Sequence, residues 1–189
     1  GETMRLRVAR SDSPEGPFQD IGKLLLPDEG FTIDAFPFKD PKTGKWYLYF
    51  AKDWLEHDHP GTGIAVVRLS DDMQSIVGEP EPAVLPSAEW QVYERNRDIY
   101  DRTFDAWHTV EGAYVVFRDD RYWMFYSGSN WQKETYGVAY AVADHPFGPW
   151  EDAGTEGGPL VLSGQGRPEV RGPGHHSVTK APDGETWIC

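Results

Sequence analysis

Several features that mark common protein classes are missing or scarce in this 189-residue sequence. Its one cysteine, Cys189, stands at the last position, so no disulfide can form within the chain. No apolar run approaches the roughly 20 residues that a membrane-spanning helix requires. We find no signal peptide among these residues, so a bacterial cytoplasmic location and a secreted one both stay open.

Positive charge is also scarce. Lysine and arginine number 18 against 31 aspartates and glutamates, which gives a net charge of −13. Nucleic acids and anionic membrane surfaces are bound through basic patches, so this balance argues against both as partners. A neutral sugar polymer is compatible with an acidic protein.

Long helical periodicity is absent as well, whereas aromatic residues are plentiful. Eight Trp, nine Tyr and nine Phe make up 14% of the chain. Aromatic side chains suit the half-buried surface of a β-sheet, and their flat rings also stack on sugars. Composition alone therefore favours a well-packed β-protein and leaves a carbohydrate site as the alternative.

Short aromatic or β-branched runs bounded by turn residues predict an all-β fold. Turn sequences rich in Asp, Pro or Gly separate them at 40–44, 118–120 and 182–184. The predicted strands are Lys45–Ala51, Gly63–Leu69, Ala113–Phe117, Arg121–Ser127 and Gly137–Ala143.

The chain also repeats itself. Segments 31–52, 107–128 and 174–189 each place a polar or charged residue before a strand, and the first two continue into a turn and an aromatic strand. Segments 6–20 and 138–152 share a small-residue strand followed by an Asp-x-Pro-x-Gly-Pro-aromatic turn. Such repeats are typical of β-propellers with four-stranded blades. At this spacing the chain holds about three blades, fewer than a closed propeller needs.

Equivalent positions of the three repeats carry Asp34, Glu111 and His175. If the first strand of each blade lines the central axis, these side chains converge in one funnel. Hydrolysis of a glycosidic bond needs a protonated carboxylic acid beside a second, ionised group. The alternatives are that the two carboxylates bond turn amides at strand entries and that His175 is packed in the core.

Six motifs stand in order along the chain. They are Thr32–Asp40 with Trp46–Phe50, Trp107–Gly112, Tyr126–Gly128, Tyr136–Val138, Gly148–Trp150 and Gly172–Val178. Together they resemble family 43 of the glycoside hydrolases, and the resemblance spans nearly the whole chain. One departure is Ala113, which stands where the family usually has a proline after Glu111-Gly112.

The resemblance implies a fold and an activity. The fold is a five-bladed β-propeller, and residues 1–189 would form part of its single catalytic domain. They would supply the end of blade 1, blades 2 and 3, and the start of blade 4, without the flanking blades. The activity is inverting hydrolysis of arabinose- or xylose-containing plant polysaccharides or oligosaccharides, which places the protein in xylan or arabinan degradation.

Individual roles are implied as well. Glu111 would be the general acid, and Asp34 would hold it in place and raise its pKa through a neighbouring negative charge. His175 would face the axial cavity, where many family members hold a calcium ion. The family's general base is an Asp early in the first blade. No residue here matches it, so we expect the base upstream of Gly1.

Four aromatic residues are candidates for stacking on the sugar. We favour Trp107, because it stands four residues before Glu111. The other candidates are Phe36, Trp54 and Trp131, for which core or loop packing is the alternative.

Two other functions stay open. One is a catalytically silent fragment that still binds carbohydrate, and the other is a propeller that serves as an interaction scaffold. Open strand edges recruit further strands, so we also expect a homo-oligomer or a complementing chain that closes the ring.

Overall fold

The computed structural model describes residues 3–167 and 169–189 and is nearly all β-structure, as the sequence predicts. Among these residues the one helical element is a short 3-10 turn at Glu89–Gln91, and no described helix could span a membrane. The strands in chain order are β1 (Arg7–Arg10), β2 (Gln19–Leu24), β3 (Ile33–Lys39), β4 (Trp46–Trp54), β5 (Gly61–Leu69), β6 (Ile76–Val84), β7 (Val92–Ile99), β8 (Arg102–Arg118), β9 (Arg121–Gly128), β10 (Gly137–Ala143), β11 (Glu151–Asp152), β12 (Leu162–Ser163), β13 (Val178–Lys180) and β14 (Thr186–Ile188).

The first large sheet contains β3, β4, β5 and β6, paired antiparallel in chain order. The central strands β4 and β5 are buried along most of their length, which explains their continuous apolar runs. Strand β6 was not predicted, because Pro80 and Pro82 interrupt its sequence. It pairs only with β5 among the described residues, and proline is tolerated on such an edge strand.

The second large sheet contains the C-terminal half of β8 together with β9 and β10. Two short strands, β11 and β12, bond to the outer edge of β10. Asp119 and Asp120 join β8 to β9 with φ angles of 52° and 60°. A two-residue turn with both φ angles positive matches the natural twist of paired strands, so this turn sets the register of the β8–β9 hairpin.

Strand β8 is 17 residues long and takes part in two pairings. Its first half, up to His108, pairs with β7, and its second half, from Val110, pairs with β9. Tyr100 and Asp101 form the turn of the β7–β8 hairpin with φ angles of 55° and 56°. The sequence did not reveal this hairpin, because the segment is highly charged and has no glycine at its turn.

The two large sheets meet where β5 runs parallel to β8 for two residues. Gly61 pairs with His108 and Thr62 with Thr109, and the His108 amide donates to the Pro60 carbonyl at 2.9 Å. A Cβ atom at position 61 would lie 2.0 Å from the His108 carbonyl oxygen. The junction therefore depends on the absence of a side chain at Gly61.

One apolar core lies between the two sheets. Phe38, Tyr49 and Ile64 contribute from the first sheet, and Val110 and Tyr126 from the second. Burial of these large side chains from both sheets is the main force that holds the sheets together.

Polar contacts tie the sheets at the end remote from Asp34. The Tyr122 hydroxyl donates to Asp40 Oδ1 at 2.7 Å, and both residues are buried. The Lys42 ammonium pairs with the exposed Asp120 at 2.9 Å. The turn after β3 and the turn after β8 are thus held side by side.

Two small hairpins flank the large sheets. Strands β1 and β2 pair with each other, and so do β13 and β14. The Tyr114 hydroxyl donates to the Val178 carbonyl at 2.7 Å, which attaches β13 to the second sheet. The apolar side chains of β14 are exposed to solvent: Trp187 is 55% and Ile188 41% exposed.

Candidate active site

Asp34, Glu111 and His175 come together at one end of the two large sheets. One carboxylate oxygen of each acid and one ring nitrogen of the histidine all lie within 4.8 Å of one another. The three residues belong to β3, to the middle of β8 and to the loop before β13. The convergence predicted from the repeats is therefore present in the fold.

Local irregularities of the backbone orient these side chains. Asp34 has a φ of 56°, and the register of β3 on β4 shifts between Ile33 and Phe36. Gly112 has a φ of 63°, and the register of β8 on β9 shifts next to Glu111. A β-bulge bends a strand and redirects a side chain. Each of these strands thus has a bulge at its acidic residue.

His175 is the third site residue with unusual backbone, at a φ of 50°. Its backbone amide donates to Ser127 Oγ at 2.7 Å, which fixes the turn to β9. Positive φ is several times more frequent for aspartate and histidine than for most residues. The residue types at Asp34 and His175 therefore suit the backbone as well as the chemistry.

The environment of Glu111 favours the protonated carboxyl. Burial raises its pKa, and the charge of Asp34 raises it further, while the Tyr136 hydroxyl and His175 act in the opposite direction. The net effect is a pKa above that of an ordinary glutamate. A carboxyl with these properties can carry a proton closer to neutral pH than a free glutamate can.

Asp34 is more enclosed than its partner histidine. Its side chain is 16% exposed, and Oδ1 lies 3.7 Å from Nε2 of the 55% exposed His175. Burial is the largest influence and leaves the pKa of Asp34 above that of an ordinary aspartate, although the His175 ring and the Gly112 amide act in the opposite direction. Its other oxygen, Oδ2, has no hydrogen-bond partner among the described residues.

Tyr136 belongs to the site and was missed as a functional residue. Its hydroxyl donates to Glu111 Oε1 at 2.8 Å, and its side chain is almost completely buried. Burial and the neighbouring Glu111 carboxylate raise the pKa of Tyr136 well above its ordinary value, so the phenol keeps its proton. The sequence feature that could have identified Tyr136 is its position in the Tyr136–Val138 motif.

Trp107 is not placed to stack on a sugar. It is only 3% exposed, its ring packs edge-on against Phe104, and the Arg97 guanidinium covers it at 5.3 Å. A ring enclosed on all sides offers no flat face to a ligand. Proximity to Glu111 in sequence was misleading, because the first half of β8 belongs to the β7–β8 hairpin and packs within it.

The other aromatic candidates differ in their exposure. Phe36 is half-buried against Tyr114 at 4.5 Å. Trp54 is also half-buried, with its indole N–H donating to the Gly63 carbonyl. Trp131, in the loop between β9 and β10, is 59% exposed and has the most open ring of the four candidates.

The same cluster is the one place among the described residues where at least three metal-binding side chains meet. It offers one imidazole and two carboxylates. Calcium takes six to eight oxygen ligands, so these groups could fill only part of its coordination shell. The neighbouring His176 is buried and is not part of this cluster.

Comparison with known proteins identifies the family. Residues 1–189 match the family described as Glycosyl hydrolases family 43. The chain belongs to this family. Among solved structures it is similar to a thermostable family-43 glycoside hydrolase, with 35% identity and a TM-score of 0.80. That match confirms the predicted all-β propeller fold and covers 98% of this chain but 56% of the other.

Other family-43 relatives have named activities. The chain is 28% identical to a β-D-galactofuranosidase (xynD) of Aspergillus niger over 99% of its own length and 46% of that protein. It is 26% identical to a xylosidase/arabinosidase of Bacteroides ovatus, over 99% of its length and 60% of that protein. The chain thus spans about half the length of these family-43 relatives, and its division into blades stays a prediction.

Proposed function

We propose that this chain supplies the general-acid side of a family-43 active site that hydrolyses arabinose- or xylose-containing polysaccharides or oligosaccharides. Glu111 donates a proton to the departing glycosidic oxygen. Asp34 keeps that proton on Glu111 through its negative charge and does not touch the reacting atoms. The observation that carries this proposal is the half-buried Glu111 carboxyl beside Asp34, with a pKa that burial and Asp34 both raise.

The distance between the two acids supports a modulating role for Asp34. Their closest oxygens lie within 4.8 Å. In inverting glycosidases the acid and the base stand about 6.5–9.5 Å apart, which leaves room for the attacking water. Asp34 is too close to Glu111 to be that base. An inverting reaction then takes its base from elsewhere in the protein that contains this chain.

Two of the relatives support the proposed substrate class. A xylosidase/arabinosidase and an endo-1,4-β-xylanase of Bacteroides thetaiotaomicron are both similar to the chain, the latter at 27% identity with a TM-score of 0.74. The open ring of Trp131 at the site end of β9 is the aromatic surface that we propose for the sugar.

A calcium ion is part of the proposal. His175 and Asp34 are the residues that would hold it, and water would supply the remaining ligands. When bound, the ion would add positive charge beside the two acids. No step of the proposed reaction depends on it.

The test of the general acid uses substrates with different leaving groups. In the protein with the complete propeller, Glu111→Gln should lower kcat about 10²–10⁴-fold on xylo- or arabino-oligosaccharides, whose leaving oxygen needs a proton. Nitrophenyl glycosides should suffer much less, because a phenolate leaves without one. The measurement is kcat/KM for both substrate types.

A matched control is Glu81→Gln, an exposed glutamate on the edge strand β6. It should leave both substrates unaffected. Equal losses on good and poor leaving groups for Glu111→Gln would show that Glu111 is not the acid. Sugar binding without any hydrolysis by the unchanged protein would instead favour a silent carbohydrate-binding propeller.

A further inference from the structure

We propose that Tyr136 is a positioning residue that decides which oxygen of the Glu111 carboxyl carries the transferable proton. The inference deepens the proposed function and rests on Glu111 as the general acid. Tyr136 acts through Glu111 and does not touch the substrate.

Two hydrogen bonds fix this part of the site. The Tyr136 hydroxyl donates to Glu111 Oε1 at 2.8 Å. The backbone N–H of His175 can only donate, and it donates to Ser127 Oγ at 2.7 Å, which holds the His175 turn against β9.

The hydrogen bond from Tyr136 determines where the proton of Glu111 lies. A protonated carboxyl has one O–H donor and one oxygen that is free to accept. Because Oε1 accepts the Tyr136 hydrogen, the proton stays on Oε2. Without the Tyr136 hydroxyl either oxygen could carry it, and some molecules would present an acceptor where the departing glycosidic oxygen needs a donor.

Packing prevents the Tyr136 ring from turning away from Glu111. Tyr136 is 2% exposed and Ser127 is fully buried. The Gly174 backbone lies directly against both: a Cβ at that position would stand 2.3 Å from Tyr136 Cε1 and 2.8 Å from Ser127 Oγ. Gly174 therefore lets the His175 turn close over Tyr136.

The experiment observes the Glu111 carboxyl carbon by NMR in the 189-residue chain with ¹³C-labelled glutamate. Glu111→Gln assigns the resonance by removing it. At one fixed pH, Tyr136→Phe should move this resonance by more than its line width, because the carboxyl loses its hydrogen bond. Ser127→Ala should move it less, since the Tyr136 hydroxyl stays in place and only the hydrogen bond to the His175 amide is lost.

Tyr122→Phe is the matched control. It also removes a buried phenol hydroxyl that donates to a carboxylate, that of Asp40, but at the remote end of the sheets. It should leave the Glu111 resonance where it is. A folded Tyr136→Phe chain with an unmoved resonance would overturn the proposal.

A second measurement needs no variant. In the unchanged chain the Tyr136 hydroxyl proton should exchange slowly with water and give a resolved signal, because it is buried and bonded. A hydroxyl proton lost to rapid exchange would overturn the proposal even if Tyr136→Phe failed to fold.

Kinetic measurements on a protein with the complete propeller distinguish a positioning role of Tyr136 from a general loss of structure. Tyr136→Phe should lower kcat on oligosaccharides about tenfold to a hundredfold with KM nearly unchanged, the scale expected when a catalytic group is misplaced. Aryl glycosides should be affected less. Equal losses on both substrate types would count against positioning. An unchanged protein that hydrolyses nothing would refute the proposed function, while the NMR result would still decide the place of Tyr136.

Discussion

At the scale of single residues, the candidate site holds two acids where burial limits their contact with water. Burial is the larger cause of the raised pKa of Glu111, and the charge of Asp34 is the second. These two causes can be separated, because substitution of Asp34 removes the charge and leaves the enclosure of Glu111 nearly unchanged.

We expect Asp34→Asn to shift the pH dependence of hydrolysis. A general acid works only while protonated, so kcat/KM falls as pH rises through the pKa of Glu111. Removing the negative charge of Asp34 lowers that pKa, and the alkaline limb of the profile should move to lower pH. Asp58→Asn, at an exposed aspartate in the loop after β4, is the control and should leave the limb in place. An unmoved limb in Asp34→Asn would contradict the modulating role.

A second residue-scale prediction concerns His175 and calcium. If His175 holds the ion, calcium at about 100 times its Kd should stabilise the fold by about 2.7 kcal/mol. His175→Ala should abolish that gain, whereas His145→Ala, at an exposed histidine in a turn, should retain it. Thermal unfolding with calcium and with a chelator measures both. The same gain in both variants would mean that calcium binds elsewhere.

The residues of the site were predictable to different degrees. Asp34, Glu111 and His175 were found because repeats of the fold place them at equivalent positions. The prediction that Trp107 stacks on a sugar was wrong, because its closeness to Glu111 in sequence does not determine which side chains pack against its ring. Tyr136 was missed, because its importance comes from an acid on another strand that sequence order does not bring near it.

At the scale of elements, the junction between β5 and β8 is the point least tolerant of change. Gly61→Ala should destabilise the protein by about 1–3 kcal/mol or more, since its methyl group would overlap the His108 backbone. The control is Gly30→Ala, because that glycine has open space around its Cβ position and no positive φ. Urea denaturation measures the difference, and equal midpoints for the two variants would contradict this account.

Strands with aromatic or β-branched runs were predicted correctly, but other elements, among them β6 and the β7–β8 hairpin, were not. Strand β6 has prolines that its edge position tolerates. The β7–β8 hairpin is rich in charge, and its turn uses Tyr100-Asp101 rather than glycine or asparagine. In both cases pairing with a well-formed neighbour strand outweighs an unfavourable local sequence.

At the scale of the whole molecule, the flanking hairpins are where we expect association with a second chain. A two-stranded hairpin is marginally stable by itself, and Trp187 and Ile188 in β14 are open to solvent. We expect the 189-residue chain, studied alone, to form dimers or to bind a complementing chain. Light scattering at increasing concentration tests this. Trp187→Lys should weaken association, whereas Lys180→Ala, a polar change on β13, should not. A monomer at all concentrations would contradict the expectation.

The length of β8 has a consequence for how such a protein can diverge. Residues 110–118 hold the second sheet and contribute Val110, Ala113 and Val115 to the shared core, whereas none of residues 102–108 belongs to that core. Glu111 stands just past the boundary between these two parts. Outside the junction at His108, substitutions of the exposed residues of the outer hairpin can therefore change the surface near Glu111 while the core that positions Glu111 stays intact. Under the proposed function, selection for the bound sugar and selection for stability would act largely on different halves of one strand.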